Sequence, residues 1–193
     1  MAHASAQLIG DRSHQCDATA TYTHAGTRAY VLCDGIGSSD EVEAWTSAAA
    51  RRVAQAAARR GDAEAGLRAV YDRYAAEPAR SDPYADLPNA CAAVAVAVPG
   101  KPLTVAWCGD VRAYVLTPGR TLQCLTADHN MRRVFNGSRN RVTSYLGAVE
   151  SDTPQATRTT RPSWLPTSPQ PARGSEPQVR GGFTLSSNAL LFM

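Results

Sequence analysis

The chain has 193 residues, 44% of them hydrophobic, which suits one globular domain with a sizeable core. Its apolar stretch AAVAVAV (92–98) is far too short to span a bilayer, and the start MAHASAQLIG lacks the basic and apolar regions of a secretory signal. The expectation is therefore a cytoplasmic protein with no membrane partner. The formal charge of +3 resides in residues 153–193, where Arg158, Arg161, Arg173 and Arg180 face one acid, Glu176. The balanced remainder offers no electrostatic footprint for nucleic acid.

In chain order, DATATYT (17–23) alternates polar with small or aromatic residues, HAGT supplies a turn, and RAYVLC (28–33) reads as the more buried strand of a hairpin. After GIGSS, Ser38 with Glu41 forms a capping-box signature, and Asp40, Glu41 and Glu43 favour a first helical turn. That helix runs through AWTSAAARRVAQAAARR and stops at Gly61. A second helix spans Asp62 to about Glu77, with Leu67, Val70, Tyr71 and Tyr74 on one face. A proline-containing loop follows, then strands near 91–98, 103–108 and 112–117. Strand pair, helix pair and strand meander together predict an α+β layered domain rather than alternating βαβ units.

The five cysteines (Cys16, Cys33, Cys91, Cys108, Cys124) form no CxxC pair and suggest neither a disulfide framework nor a structural zinc site. Cys33, Cys91 and Cys108 lie in or beside apolar runs and read as small hydrophobes. From residue 153 the character changes. Six of the twelve prolines fall in 153–180, which predicts an extended or flexible loop anchored at Trp164 and Leu165. The domain organisation expected is thus a core over 1–152, a Pro-rich loop over 153–180, and a terminal strand of the same domain over 181–193.

One device occurs twice. AYVLCDGIG closes an apolar run with Asp34 and Gly35, and LTVAWCGDVRAY sets Gly109 before Asp110. A strand can hold a carboxylate rigidly at its end, and glycine leaves the backbone carbonyl accessible. Two such ends side by side would supply the hard oxygen ligands that Mg²⁺ or Mn²⁺ prefers. For either motif alone, an aspartate that merely starts a turn explains the sequence as well.

With these segments in order, residues 8–150 resemble the bacterial PPM (type 2C) metal-dependent protein phosphatases. Arg12 and Asp17 of DRSHQCDA occupy the places of the family's opening arginine and acid, and DGIGS matches its D-G-x-G-G. NACAAVAVAV (89–98) matches the strand beginning G-T/N-x-A, and AWCGDVRAY (106–114) matches A-N-x-G-D-S-R-A-Y. LTADHN (125–130) and NRVTSYLG (140–147) match L-T-x-D-H and N-x-x-T-R-x-L-G.

The resemblance implies a β-sandwich of two antiparallel sheets flanked by helices, with two Mn²⁺ or Mg²⁺ ions between the sheets. It implies that Asp34 bridges the metals, that the Gly35 carbonyl is another ligand, that Asp17 orients metal-bound water and that Asp110 approaches a further metal. Arg12 would hold phosphate oxygens through its planar fork. Hydroxide would then attack a phosphoserine or phosphothreonine. Arg112, Asp128 and His129 are expected to be structural. The partner implied is a phosphoprotein substrate or regulator; no oligomeric state is indicated.

The departures point the other way. Cys16 stands beside Asp17 where the family has an acid, and Ser38 replaces the last glycine of D-G-x-G-G. In SSNAL, Asn188 and Ala189 stand where S-D-G is expected, and nothing matches the later G-D-N. Asn188 would be a degenerate metal ligand, since an amide oxygen brings no charge to offset two divalent cations. The final strands of the sandwich are expected to be missing. The main expectation is a metal-dependent serine/threonine phosphatase. The alternative is a catalytically inactive phosphatase-like binding or regulatory module, a pseudophosphatase.

Overall fold

The computed structural model describes residues 4–82, 84–116, 121–138, 141–149, 155–158 and 190–192. Its larger sheet begins with a hairpin, β1 (Asp17–His24) and β2 (Thr27–Ile36), closed by Ala25 and Gly26, both at positive φ. Such a turn matches the twist of its strands. Next comes α1 (Asp40–Arg60), capped by the Ser39 side chain accepting from the Val42 N–H and ended by left-handed Gly61. The N-cap is thus one residue beyond the Ser38 that the capping-box pattern indicates, because the Ser39 backbone is extended and its hydroxyl reaches the third residue on. Helix α2 (Ala63–Ala75) is capped by Asp62 and buries Leu67, Val70, Tyr71 and Tyr74 as expected.

Strands β3 (Asn89–Ala97) and β4 (Thr104–Cys108) follow, then β5 (Arg112–Leu116), the short β6 (Leu122–Cys124), helix α3 (Met131–Phe135), β7 (Gln155–Arg158) and β8 (Leu190–Phe192). The larger sheet is antiparallel throughout, in the order β1-β2-β3-β4-β7. β7 lies in the segment that composition marks as Pro-rich loop. The smaller sheet has the order β6-β5-β8; β5 pairs antiparallel with β6 and parallel with β8. The expected α+β class and two-sheet architecture with flanking helices are present, with this one parallel pairing added. Trp164 and Leu165 lie outside the described residues.

Strand alternation divides the larger sheet into two faces. On one, Ala29, Val31, Cys33, Ala92, Val94, Val96, Ala106 and Cys108 pack beneath α1 and α2. Alanine dominates because the helices sit close. Gly66 of α2 lies so near α1 that an added Cβ would stand 2.3 Å from Ala57 Cα. The other face carries Tyr30, Leu32, Cys91, Ala93, Ala95, Val105 and Trp107, which meet Val111 and Ala113 from the crossover and β5. This second face also carries the acids.

Candidate metal and phosphate site

In the β1–β2 register Asp17 stands directly opposite Asp34, and in β2–β3 Asp34 stands opposite Cys91. Alternation places all three on the face turned away from the helices. Asp34 is inside β2 rather than at its end, since pairing continues to Ile36 opposite Asn89. The third acid arrives from the chain's passage between sheets: β4 ends at Cys108, Gly109 takes φ +88°, and Asp110 and Val111 lead into β5. Gly109 is required twice over, because an added Cβ would also lie 2.2 Å from Cys91 Sγ.

The segment after β6 straps this turn in place. Trp107 Nε1 donates to the Ala127 carbonyl (2.9 Å), the His129 N–H donates to the Gly109 carbonyl (2.9 Å), and the Thr143 N–H donates to the His129 carbonyl (2.8 Å). His129 is fully buried and stacks on Trp107. Arg112 forks onto Asp128, with Nε–Oδ1 at 2.9 Å and Nη2–Oδ2 at 2.6 Å. Arg112, Asp128 and His129 therefore hold the Asp110 turn, in the structural role expected of them.

Electrostatics tie the group together. Burial first, then the neighbouring Asp17 carboxylate and its hydrogen bond, then Asp110, push the Asp34 carboxyl up to about 7, while Arg12 acts in the opposite sense. Arg12, Asp17 and Asp110 thus all act on Asp34, although the four come from four separate stretches of chain. Like charges so crowded favour a proton or a cation between them. The donor set, half-buried carboxylates in a partly desolvated site, fits a divalent ion.

It fits a pair less well. Among the described residues, the one group in which three His, Cys, Asp or Glu ligand atoms lie within 4.8 Å of one another is His14, Asp40 and Glu43. That group is spread over the N-terminal segment and the first turn of α1, contains none of the ligands expected from sequence, and no pattern in the sequence marked it. His14 Nδ1 there lies 3.1 Å from Asp40 Oδ1. A groove of about 470 Å³ is lined by Asp40 and Glu43 of this group and by Asp17 of β1, with Gln7 and Gln15 among others. Asn188 lies outside the described residues.

Two further positions read differently in three dimensions. Gly35 is a glycine because α1 crosses it: an added Cβ would stand 2.6 Å from the Cys16 carbonyl oxygen, 2.7 Å from Thr46 Oγ1 and 2.9 Å from Val42 Cγ1. Close packing by itself requires a glycine there. Cys16 is buried; its thiol faces the Ser39 carbonyl at 3.9 Å and its own carbonyl accepts from the Gly35 N–H at 3.0 Å. The residue that sequence reading undervalued is Cys91. Its place beside Asp34 follows from strand pairing, which a run buried on both faces does not reveal.

Among the described residues no helix is long and apolar enough to cross a membrane. No curated protein matches the sequence significantly. Among solved structures, a serine/threonine phosphatase from S. agalactiae superposes with a TM-score of 0.61 at 16% identity, covering 78% of this chain and 70% of that one. A Stage II Sporulation E family protein from Thermanaerovibrio acidaminovorans gives 0.57 at 22% identity, covering 75% and 74%. A bacterial serine phosphatase gives 0.55 at 21% identity, covering 76% and 70%. At such identities these likenesses establish the fold. Residues 11–154 match the family described as Protein phosphatase 2C, and the chain accordingly belongs to that family of PPM-type hydrolases.

Proposed function

We propose that this chain is a phosphatase-fold binding or regulatory module that engages phosphorylated protein and turns it over poorly or not at all. The observation that carries this reading is the reduced donor set: Asp17 and Asp110 both act on Asp34, but the only tight three-donor group among the described residues lies elsewhere. Asp34, Asp17 and Asp110 would hold one Mn²⁺ or Mg²⁺, with Asn188 as a weak further ligand. When bound, such ions neutralise phosphate charge and acidify water for attack on phosphorus.

The chain's own residues account for recognition. Arg12 is exposed, and its charge is felt at Asp34. Its fork can take two phosphoryl oxygens at once, at the mouth of the acid site. Asp17, hydrogen bonded to Asp34, fixes that carboxylate's orientation. A peptide bearing phosphoserine or phosphothreonine is the ligand class this arrangement suits.

The second reading, a working phosphatase, is supported by the direct Asp17–Asp34 pairing, which sets two acids side by side. Fluorescence anisotropy with a phosphoserine peptide, run beside phosphate release with Mn²⁺, separates the two. The module predicts saturable binding, weakened about tenfold or more in Arg12→Ala as a charge-assisted pair is lost, with no Mn²⁺-dependent release. Release that requires Mn²⁺ and vanishes in Asp34→Asn would establish the enzyme instead.

A further inference from the structure

His14, Asp40 and Glu43 form a group that the inter-sheet acids do not share. Each offers one ligand atom, and the three atoms lie within 4.8 Å of one another. Asp40 and Glu43 stand three residues apart in the first turn of α1, so they share one face of the helix. Acids in that turn are ordinary, since the helix dipole favours them, and Ser39 already caps the helix end. What the dipole does not explain is the imidazole brought to them from outside the helix. The chain on either side of His14 is held to the start of α1: Ser13 Oγ lies 3.4 Å from Ser38 Oγ, and the buried Cys16 thiol faces the Ser39 carbonyl. His14 is half-buried there, with Nδ1 3.1 Å from Asp40 Oδ1. Among the described residues no lysine or arginine pairs with Asp40 or Glu43.

We propose that His14, Asp40 and Glu43 bind one Zn²⁺ ion, at a site separate from Asp17, Asp34 and Asp110. Zinc takes imidazole nitrogen and carboxylate oxygen in a tetrahedron whose ligand atoms stand about 3.4 Å apart. The His14–Asp40 contact already approaches that spacing, and the exposed Glu43 can close the rest by rotating its side chain. Two carboxylates and a neutral imidazole balance the two positive charges of the ion. Asp40 and Glu43 also line the groove of about 470 Å³, which leaves room for water as a fourth ligand. A nitrogen among the oxygens favours Zn²⁺ over Mg²⁺, and Mn²⁺ stands at the weak end of the first-row series. The bound ion ties the segment before β1 to α1 and needs nothing from the inter-sheet acids.

The test is a calorimetric Zn²⁺ titration of the full chain carrying Asp34→Asn, which removes one inter-sheet carboxylate and leaves His14, Asp40 and Glu43 in place. The expected result is one ion per chain, held at least roughly tenfold more tightly than Mg²⁺ or Mn²⁺. Adding His14→Ala or Glu43→Gln should lower Zn²⁺ affinity at least roughly tenfold. His24→Ala and Cys124→Ser, which remove an exposed imidazole and an exposed thiol elsewhere, should leave the titration unchanged. Zn²⁺ binding indifferent to His14→Ala and Glu43→Gln overturns the inference, as does binding lost in His24→Ala or Cys124→Ser, or no binding at all. None of those results bears on the inter-sheet acids, which Mn²⁺ uptake by the wild type tests separately. If Asp34→Asn does not fold, the wild type decides the question, since His14→Ala there should remove one bound Zn²⁺ per chain.

Discussion

The two faces of the larger sheet are built from alternate residues of the same strands, and they obey different rules. Along β2, Ala29, Val31, Cys33 and Gly35 turn toward the helices, while Tyr30, Leu32 and Asp34 turn toward the second sheet. The helix face is governed by size: alanines and one glycine let α1 lie almost on the strands. The inter-sheet face is governed by charge: Asp17, Asp34 and Asp110 are crowded at one end, and Asp34 is raised to about 7 by burial and by its neighbours. A strand residue can thus be essential to the fold or costly to it according to parity alone. Neighbouring substitutions should have opposite signs.

The largest effect is expected on the helix face. Gly35→Ala would drive a methyl into a carbonyl oxygen, a hydroxyl and a valine methyl, all within 3 Å. Overpacking of this kind costs about 3 kcal/mol, and urea unfolding should show a matching loss. Wild-type stability in that variant would contradict the close approach of α1.

One residue away, Asp34→Asn should stabilise the metal-free protein. An aspartate titrates near 4 when unfolded, so a folded value of about 7 means that the native state binds its proton more tightly. Its charge costs the fold nothing below about pH 4, more as pH rises toward about 7, and the full amount above that. Allowing for solvent screening, the variant should gain about 1–3 kcal/mol at pH 8 and nothing at pH 4. Thermal melts across that range, with chelator present, would show the difference widening with pH. A pH-independent difference would break the account of crowded carboxylates.

The smallest effect sharpens the division. Ser39→Ala removes the N-cap of α1, worth about 1 kcal/mol, and should lower the melting temperature without changing affinity for metal or phosphopeptide. A loss of affinity would mean that the helix start takes part in the site.

Much of the frame could be read from the residues themselves. The hairpin declared itself through alternation and the HAGT turn, α1 through its acidic first turn and Gly61, and α2 through Leu67, Val70, Tyr71 and Tyr74. The short elements could not. β6 has three exposed residues, α3 is a single capped turn of five residues held by Asn130, and β7 forms only by adding to the edge at β4. Such segments carry too few residues for a period to register. The acids at the site were legible as motifs, but their company was not. β3 is buried almost throughout on both faces, so nothing in NACAAVAVA says which side Cys91 takes; only its register with Asp34 decides it.

The central claim is that the inter-sheet face retains donors for one divalent ion rather than two. Native mass spectrometry of the full chain across an Mn²⁺ series counts the ions directly, with Asp34→Asn as the control. The account predicts a plateau at one ion, lost in Asp34→Asn. A plateau at two would mean an intact binuclear centre and a working phosphatase, and no specific uptake would mean that the acid cluster holds no metal.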